Sequence, residues 1–245
     1  LLVGTRKGLF VLQPKGGAWA TSSVHFLGEP VTQAIATPQG WFAALRLGHF
    51  GVKLKRSTDQ GRSWTEVAAP AFPPKPTEGF WADDPTPWSV DLIWTLAHSP
   101  AANDQPETLW AGCLPAGLFR STDAGASWQL VQSLWEAPRR KEWFGGGYDH
   151  AGIHSVLIDP RDARHITVAI SCAGVWQSHD AGATWAPTCT GLVAEYMPPE
   201  RQSDPEAQDP HCVVACAAQP DVLWMQHHHG MYRSADAGST WQRLP

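Results

Sequence analysis

The sequence predicts an all-β fold of repeated four-stranded antiparallel sheets, and three observations support this prediction. First, one eight-residue pattern, Ser-x-Asp-x-Gly-x-(Ser/Thr)-Trp, occurs four times in the 245 residues. Second, the copies start at positions 57, 121, 178 and 234, which lie 64, 57 and 56 residues apart. Third, short runs of apolar and β-branched residues separated by turn residues lie between the copies. A repeat of this length containing short strands is typical of a β-propeller blade.

The third repeat illustrates the strands expected in one blade. Gly152–Pro160 is predicted to be a strand ended by a turn, and His165–Ser171 a second strand rich in β-branched residues. Val175–Ser178 is predicted as the third strand, and a fourth begins after the pattern at Thr184–Pro187. Four strands in one repeat predict one antiparallel blade.

Applied to the whole chain, the repeat predicts a single β-propeller domain over residues 1–245. The predicted units are a partial N-terminal blade at 1–24 and full blades at about 29–68, 88–133, 152–189 and 211–245. The first unit lacks an innermost strand and retains only Gly16 and Trp19 of the pattern. Because Pro245 directly follows an outer strand, we expect the sequence to be a fragment of a larger propeller with further blades after Pro245.

Composition narrows the classes of partner. The net charge is −5 and the pI about 6.1, which argues against binding to nucleic acid or to an anionic membrane. Five cysteines without a Cys-x-x-Cys pair favour reduced thiols in the cytoplasm. No signal peptide is visible, although the sequence begins with Leu1 and not with Met. We expect a cytoplasmic protein that acts on a small molecule, with no membrane or nucleic-acid partner; the sequence does not predict the oligomeric state.

The repeated pattern itself is predicted to be structural. Ser and Asp side chains accept backbone N–H bonds in a tight turn, Gly supplies a positive φ, and Trp fills the gap between blades. Four equal turns around a ring cannot form one active site. The carboxylates at these positions are therefore expected to be part of the scaffold; they are Asp59, Asp123, Asp180 and Asp236.

The pattern resembles the Asp-box (bacterial neuraminidase) repeat of sialidase-like and related glycosyl-hydrolase-like propellers. Gly147–His154, Asp209–Cys212 and Gln226–His228 are also similar to segments of bacterial glycosyl-hydrolase-like proteins with such repeats. The resemblance covers essentially the whole chain and implies a seven-bladed propeller. It also implies that the first arginine of a sialidase site lies in an Arg-Ile-Pro motif, which is absent here. Arg6 and Arg46 are left as candidate anion-binding residues, and the usual sialidase mechanism is not expected.

The histidines are unevenly distributed between the two predicted faces. Three belong to the face that carries the motif turns, namely His98, His165 and His179. Eight belong to the opposite face, which also carries the long crossovers between blades; these are His25, His49, His150, His154, His211, His227, His228 and His229. A propeller funnel on this opposite face is therefore the predicted site.

Comparison between blades predicts which side chains meet in this funnel. His154 and His211 are predicted at equivalent mouths of innermost strands, with Asp91 in nearly the same place of another blade. His227 and His229, two residues apart, are expected on one side of their strand and His228 on the other. Such imidazoles with a carboxylate suit one Zn²⁺ or Mn²⁺. The expected metal ligands are His154, His211, His227 and His229; the alternative is a polar funnel lining without metal.

Other residues are candidates for catalysis or substrate binding. A glycosidase without metal needs two carboxyl groups across the sugar, and the expected catalytic residues are Asp91, Asp149 and His150. The expected substrate-binding residues are Arg6, Arg46, Trp143 and Tyr148. Crossover aromatics such as Trp143 are predicted either to stack on a sugar or to form a hydrophobic lid. The Arg139–Lys141 run is expected to be a solvated loop.

Two functions follow from these residues. The first is a glycosyl-hydrolase-like activity, either hydrolysis, with or without the help of a metal, or lyase cleavage of a carbohydrate-like or other polar substrate. The second is a non-catalytic propeller that binds a protein partner or acts as an assembly factor.

Overall fold

The computed structural model describes residues 1–101, 103–216 and 218–245, and these form an all-β propeller. They build five antiparallel sheets, four with four strands and the first with three. Each sheet is a meander in which strands adjacent in sequence pair with one another. The predicted fold class is confirmed.

The strands of the first three sheets have the following bounds. The first sheet contains β1 (Leu2–Thr5), β2 (Gly8–Lys15) and β3 (Ala18–His25). The second contains β4 (Val31–Thr37), β5 (Gly40–Arg46), β6 (Val52–Ser57) and β7 (Thr65–Val67). The third contains β8 (Leu92–His98), β9 (Leu109–Leu114), β10 (Leu118–Ser121) and β11 (Gln129–Leu130).

The last two sheets and the helices complete the description. The fourth sheet contains β12 (Ile153–Asp159), β13 (Asp162–Ile170), β14 (Gly174–Ser178) and β15 (Ala186–Pro187). The fifth contains β16 (Pro210–Cys216), β17 (Gln219–His227), β18 (Gly230–Ser234) and β19 (Gln242–Arg243). The helical segments are α1 (Gln132–Trp135) and 3₁₀ turns at Gly48–Phe50, Arg140–Glu142, Pro199–Arg201 and Pro205–Ala207. None of the described helices has the length and apolarity that a bilayer span requires.

The innermost strands of the four full sheets lie side by side around the axis, and β1 of the three-stranded sheet lies beside the first of them. β1 contacts β4, β4 contacts β8, β8 contacts β12, and β12 contacts β16. Apolar side chains fill the space between neighbouring sheets, for example Phe42 against Ile93 and Val175 against Met225. Each such burial contributes about 1.5–3 kcal/mol to folding. The core is therefore divided into layers between blades.

The first strand of the three-stranded sheet corresponds to the second strand of the full blades. In β9, a Cβ on Gly112 would lie 2.7 Å from the carbonyl oxygen of Ile153 in the next innermost strand. In β1, a Cβ on Gly4 would lie 2.9 Å from the carbonyl oxygen of Val31 in the same relation. The two glycines thus allow equivalent close contacts between sheets.

The motif turns have the predicted structural role. In the first copy, the Ser63 N–H and hydroxyl donate to the two carboxylate oxygens of Asp59 at 2.8 and 2.6 Å, and the Gly61 N–H donates to Ser57 Oγ at 2.7 Å. These bonds lower the pKa of Asp59 to about 2. The same carboxylate bonds recur at the equivalent residues, Asp123, Asp180 and Asp236.

The motif tryptophans connect each blade to the one before it. The indole N–H of Trp241 donates to the Thr188 carbonyl at 2.9 Å, and that of Trp128 to the Ala68 carbonyl at 2.9 Å. Thr188 and Ala68 directly follow the outermost strands of the preceding sheets. Trp128 and Trp241 therefore lie between their own blade and the preceding one, as predicted.

The Arg139–Lys141 segment corrects the prediction of a solvated loop. The Arg140 side chain is buried, with its guanidinium carbon 4.5, 4.7 and 5.7 Å from the ring centres of Trp135, Trp143 and Trp81. These rings attract the cation and cover its aliphatic stem. The segment therefore joins two long crossovers into an aromatic lid, which is one of the two alternatives predicted for the crossover tryptophans.

Candidate functional site

Four innermost strands each carry a β-bulge near their first residue. The register shifts place Thr32, Trp94, His154 and His211 at the bulges of β4, β8, β12 and β16. A bulge leaves one residue unpaired and turns its side chain away from the regular alternation. The expected equivalence of His154 and His211 is thus explained by backbone geometry. Asp91 was expected at nearly this place, but Trp94 occupies it, and Asp91 lies before β8.

Asp209 organises the histidines at the mouth of β16. It is buried, and its Oδ1 accepts the Cys172 N–H at 3.1 Å. Its Oδ2 lies 3.1 Å from His211 Nε2 and 3.3 Å from His228 Nδ1. One carboxylate oxygen therefore faces two imidazoles.

A glycine lets the crossover before β12 approach this group. A Cβ on Gly146 would lie 3.0 Å from Cys172 Sγ and 3.4 Å from Asp209 Oδ2. Desolvation raises the pKa of Cys172 to about 12, so that its thiol stays protonated at neutral pH. Cys172 therefore contributes its backbone N–H to the site, and not a thiolate.

His154 faces the same space with one nitrogen free. Its Nδ1 lies 2.9 Å from Ser155 Oγ, whereas its buried Nε2 has no hydrogen-bond partner among the described residues. Burial lowers the pKa of His154 to about 4, and the imidazole is therefore neutral near pH 7. We name the adjoining space the histidine cavity; it measures about 270 Å³ and is lined by Trp94, Gly147, Tyr148, His154, Ser171, Asp209, Pro210 and His211.

The last three histidines do not follow the predicted alternation, because β17 ends at His227 and β18 begins at Gly230. His228 and His229 form the intervening turn. His227 is buried, and its two ring nitrogens face the backbone N–H groups of Asp209 at 3.1 Å and His229 at 3.2 Å. His228 reaches Asp209, and His229 Nδ1 lies 3.6 Å from Glu195. His227 is thus held by backbone, and His228 joins the cluster instead.

A second cavity contains the expected carboxyl pair. We name it the acid cavity; it measures about 210 Å³ and is lined by Pro87, Ser89, Asp91, Leu114, Pro115, Tyr148, Asp149 and His150. The structure thus brings all three predicted catalytic residues, Asp91, Asp149 and His150, to one space. Tyr148 lines both cavities, so the two spaces adjoin at this residue.

The predicted substrate-binding residues separate into three groups. Arg46 forms a 2.5 Å ion pair with Asp91 and lies 6.0 Å from the ring centre of Tyr148, so these residues belong to one surface. Arg6 is exposed in the turn between β1 and β2. Trp143 is 7% exposed and its N–H bonds to Glu206, which leaves no free ring face for a sugar. The expectation that Trp143 binds substrate is corrected for this reason.

The sequence interpretation missed Asp209 and His228 as site residues. Asp209 lies two positions before His211, and in extended chain such residues point to the same side. This spacing was an available signal. His228 gave none, because its direction depends on a turn whose position the strand pattern did not establish.

Comparisons with known proteins identify relatives of the fold. No family model matches the chain. It is 25% identical over 214 residues to the xyloglucanase Xgh74A of Acetivibrio thermocellus, covering 79% of this chain and 23% of that protein. The chain thus spans about a quarter of the length of the curated relatives it matches.

Solved structures share the architecture at low sequence identity. An ancestral GH74 enzyme has a TM-score of 0.56 and 20% identity, covering 87% of this chain and 24% of the other. Sqt1 of Chaetomium thermophilum has a TM-score of 0.54 and 10% identity, covering 97% and 54%. The Swd1 propeller domain of Myceliophteria thermophila has a TM-score of 0.51 and 12% identity, covering 100% and 69%. The similarity to these solved structures shows the propeller fold alone. The curated relatives, in contrast, are xyloglucanases.

Proposed function

We propose that this chain is part of a glycosyl-hydrolase-like propeller that hydrolyses a carbohydrate-like substrate at the histidine cavity and the acid cavity. The observation that carries the proposal is the position of Tyr148, which lines both of two cavities that together contain three carboxylates and three imidazoles. The similarity to a xyloglucanase over 79% of the chain supports a sugar polymer as substrate. We assign the motif turns to the Asp-box type of scaffold.

The polar groups on the two sides of Tyr148 have complementary roles in the proposed reaction. In the histidine cavity, we assign the His154 proton to Nδ1, which lies 2.9 Å from Ser155 Oγ, so that Nε2 presents its lone pair to a water. This water attacks the glycosidic carbon, and its proton moves to His154 Nε2. In the acid cavity, Asp149 protonates the leaving oxygen as the C–O bond breaks. Atoms and charge therefore balance over one hydrolysis.

Arg46, Asp91 and Tyr148 are assigned to substrate binding. The ion pair between Arg46 and Asp91 holds that carboxylate in place, so that it can accept hydrogen bonds from sugar hydroxyl groups. The half-exposed ring of Tyr148 lies edge-on to Trp94 at 5.3 Å between ring centres. An amphipathic ring held in this way offers a sugar an apolar surface together with a hydroxyl group.

The test is turnover of xyloglucan oligosaccharides and a panel of other glycosides and esters, with His154→Gln, Asp149→Asn and the control His49→Ala. His49 is exposed and lines neither cavity. We expect each of the first two variants to lose at least about 100-fold in kcat/KM, the usual range for acid–base groups. Equal turnover in all variants would contradict the assigned residues.

The alternative function is binding of a protein partner without catalysis. Leu27 is 80% and Phe50 76% exposed in loops at the mouth of the same face. Exposed apolar side chains of this size are common at protein interfaces. Absence of turnover on the whole panel would favour this alternative over hydrolysis.

A further inference from the structure

We propose that Asp209, His211 and His228 bind one divalent first-row transition metal ion, such as Zn²⁺ or Mn²⁺, at the wall of the histidine cavity. Each of the three residues offers one ligand atom, and these atoms lie within 4.8 Å of one another. The inference deepens the proposed function, because it names the metal centre of the same cavity. It also replaces the ligand set that the sequence predicted.

The distances within the cluster match the edges of a coordination polyhedron. Asp209 Oδ2 lies 3.1 Å from His211 Nε2 and 3.3 Å from His228 Nδ1. Metal–ligand bonds of about 2.0–2.2 Å at tetrahedral or octahedral angles separate neighbouring ligand atoms by about 2.9–3.5 Å. Two edges of the cluster therefore have the dimensions of a metal site, and the third, between the two imidazole nitrogens, is at most 4.8 Å.

The charge around Asp209 favours a cation at this place. Within residues 1–101, 103–216 and 218–245, no lysine or arginine nitrogen lies within 4.0 Å of its carboxylate, whose side chain is 6% exposed. A buried carboxylate is costly without a positive charge or several hydrogen bonds. The backbone N–H of Cys172 supplies one bond to Oδ1 and fixes the carboxylate plane. A metal at Oδ2 supplies the missing charge.

The second observation that points to a ligand is His154. Its Nε2 is buried and lacks a partner among the described residues, although buried polar atoms are almost always hydrogen-bonded. His154 and His211 line the same cavity, so a water bound to a metal beside His211 is placed to hydrogen-bond to this nitrogen. The cavity of about 270 Å³ holds such a water, which occupies about 30 Å³, and leaves room for a substrate group.

The protons of the two imidazoles follow from the ligand atoms. His211 binds through Nε2 and retains its proton on Nδ1, while His228 binds through Nδ1 and retains its proton on Nε2. Each imidazole thus has one nitrogen for the metal and one for its proton, which is the form that binds a metal. Two imidazoles and one carboxylate form a ligand set typical of divalent metals with open positions for water or substrate.

The remaining predicted ligands have other partners. Both ring nitrogens of His227 face backbone N–H groups, and the ring nitrogens of His229 face Glu195 and the Tyr196 N–H. Their roles in the structure are to hold the Asp209 segment and the turn that carries His228. The proposed centre therefore has three protein ligands.

The test is the binding of Zn²⁺ and of Mn²⁺ to the 245-residue chain after removal of metal with a chelator, by calorimetry and elemental analysis. We expect one equivalent of metal on the wild type and at least about 100-fold weaker binding in His211→Ala, His228→Ala and Asp209→Asn. The exposed His49→Ala variant is the matched control and is expected to bind as the wild type does. Absence of binding to the wild type, or wild-type affinity in both histidine variants, would overturn the site.

Two further measurements separate folding and catalysis from metal binding. Because His211 and His228 are half-exposed, their variants should retain the wild-type circular dichroism and thermal transition; Asp209→Asn preserves the shape of the buried side chain. Turnover by the metal-free chain without metal binding by the wild type would reject the metal and retain the hydrolase. One bound metal without turnover on any substrate would retain the metal site and reject the hydrolase.

Discussion

His154 and His211 occupy the same bulge position in two neighbouring innermost strands, and both line the cavity that Asp209 closes. A bulge in a strand that pairs on both sides would disturb two ladders. An innermost strand pairs on one side only, so the change of direction is tolerated there. The propeller thus repeats the same bulge, and the side chain in each blade determines what it contributes. The Thr32 hydroxyl donates to the Ile93 carbonyl at 2.8 Å, whereas Trp94 and the two histidines line the cavity.

The first prediction concerns the stability of the protein in mild acid. Burial lowers the pKa of His154 and of His227 to about 4, below the ordinary value of 6.5. Between these pH values the unfolded chain binds more protons than the folded chain, so the free energy of unfolding should decrease as pH falls from about 6.5 to 4. His154→Gln should reduce this slope. Urea unfolding at several pH values measures it, and a slope unchanged by the variant would contradict the buried neutral state.

The second prediction concerns Tyr148, which lines both cavities, and it depends on the proposed hydrolysis. Tyr148→Ala should raise KM for long oligosaccharides by about tenfold or more, because it removes a stacking surface of about 1.5 kcal/mol. Substrates that fill one cavity should be less affected. Steady-state kinetics on a length series provides the measurement, with His49→Ala as control. Equal effects on short and long substrates would show that no substrate spans Tyr148.

The third prediction concerns the close contact between sheets at Gly112. Gly112→Ala would place a Cβ 2.6–2.7 Å from Ile153 and Thr95, and we expect a loss of about 1–3 kcal/mol in unfolding free energy from overpacking. Gly147→Ala is the control, because a Cβ there meets nothing within 4 Å. Its effect should stay within about 0.5 kcal/mol. Denaturant melts distinguish the two, and equal stabilities would show that the sheets move apart freely.

The fourth prediction concerns the aromatic lid around Arg140. Arg140→Ala should lower the unfolding free energy by about 2–4 kcal/mol, because it removes both the cation and the packed stem between Trp135 and Trp143. Arg140→Met should restore part of this loss through packing alone. Lys141→Ala, one residue on, removes an exposed cation near Phe80 and should cost less than about 1 kcal/mol. An Arg140→Ala variant as stable as Lys141→Ala would contradict the structural role of the buried cation.

The residue pattern was sufficient to predict the blades, because turn chemistry and strand composition are local properties of the sequence. The spacing of the four motif copies indicated the repeat, and the hydrogen bonds around Asp59 and its equivalents follow from residues within four positions of one another. It also indicated that His154 and His211 are equivalent. The pattern placed Asp91 wrongly, because the residue that bulges out of β8 is Trp94, and the sequence pattern does not mark where the bulge falls.

Long-range packing determined which side chains form the candidate site. A repeat pattern carries no information about such packing. Asp209 meets Cys172 and His228 through segments from the fourth and fifth sheets, and the direction of His228 depends on a two-residue turn. In the same way, the tryptophans around Arg140 come from two different crossovers, the one before β8 and the one before β12. Local chemistry therefore established the blade, whereas the side chains that face one another across the funnel depended on how crossovers of unequal length fold over the blades.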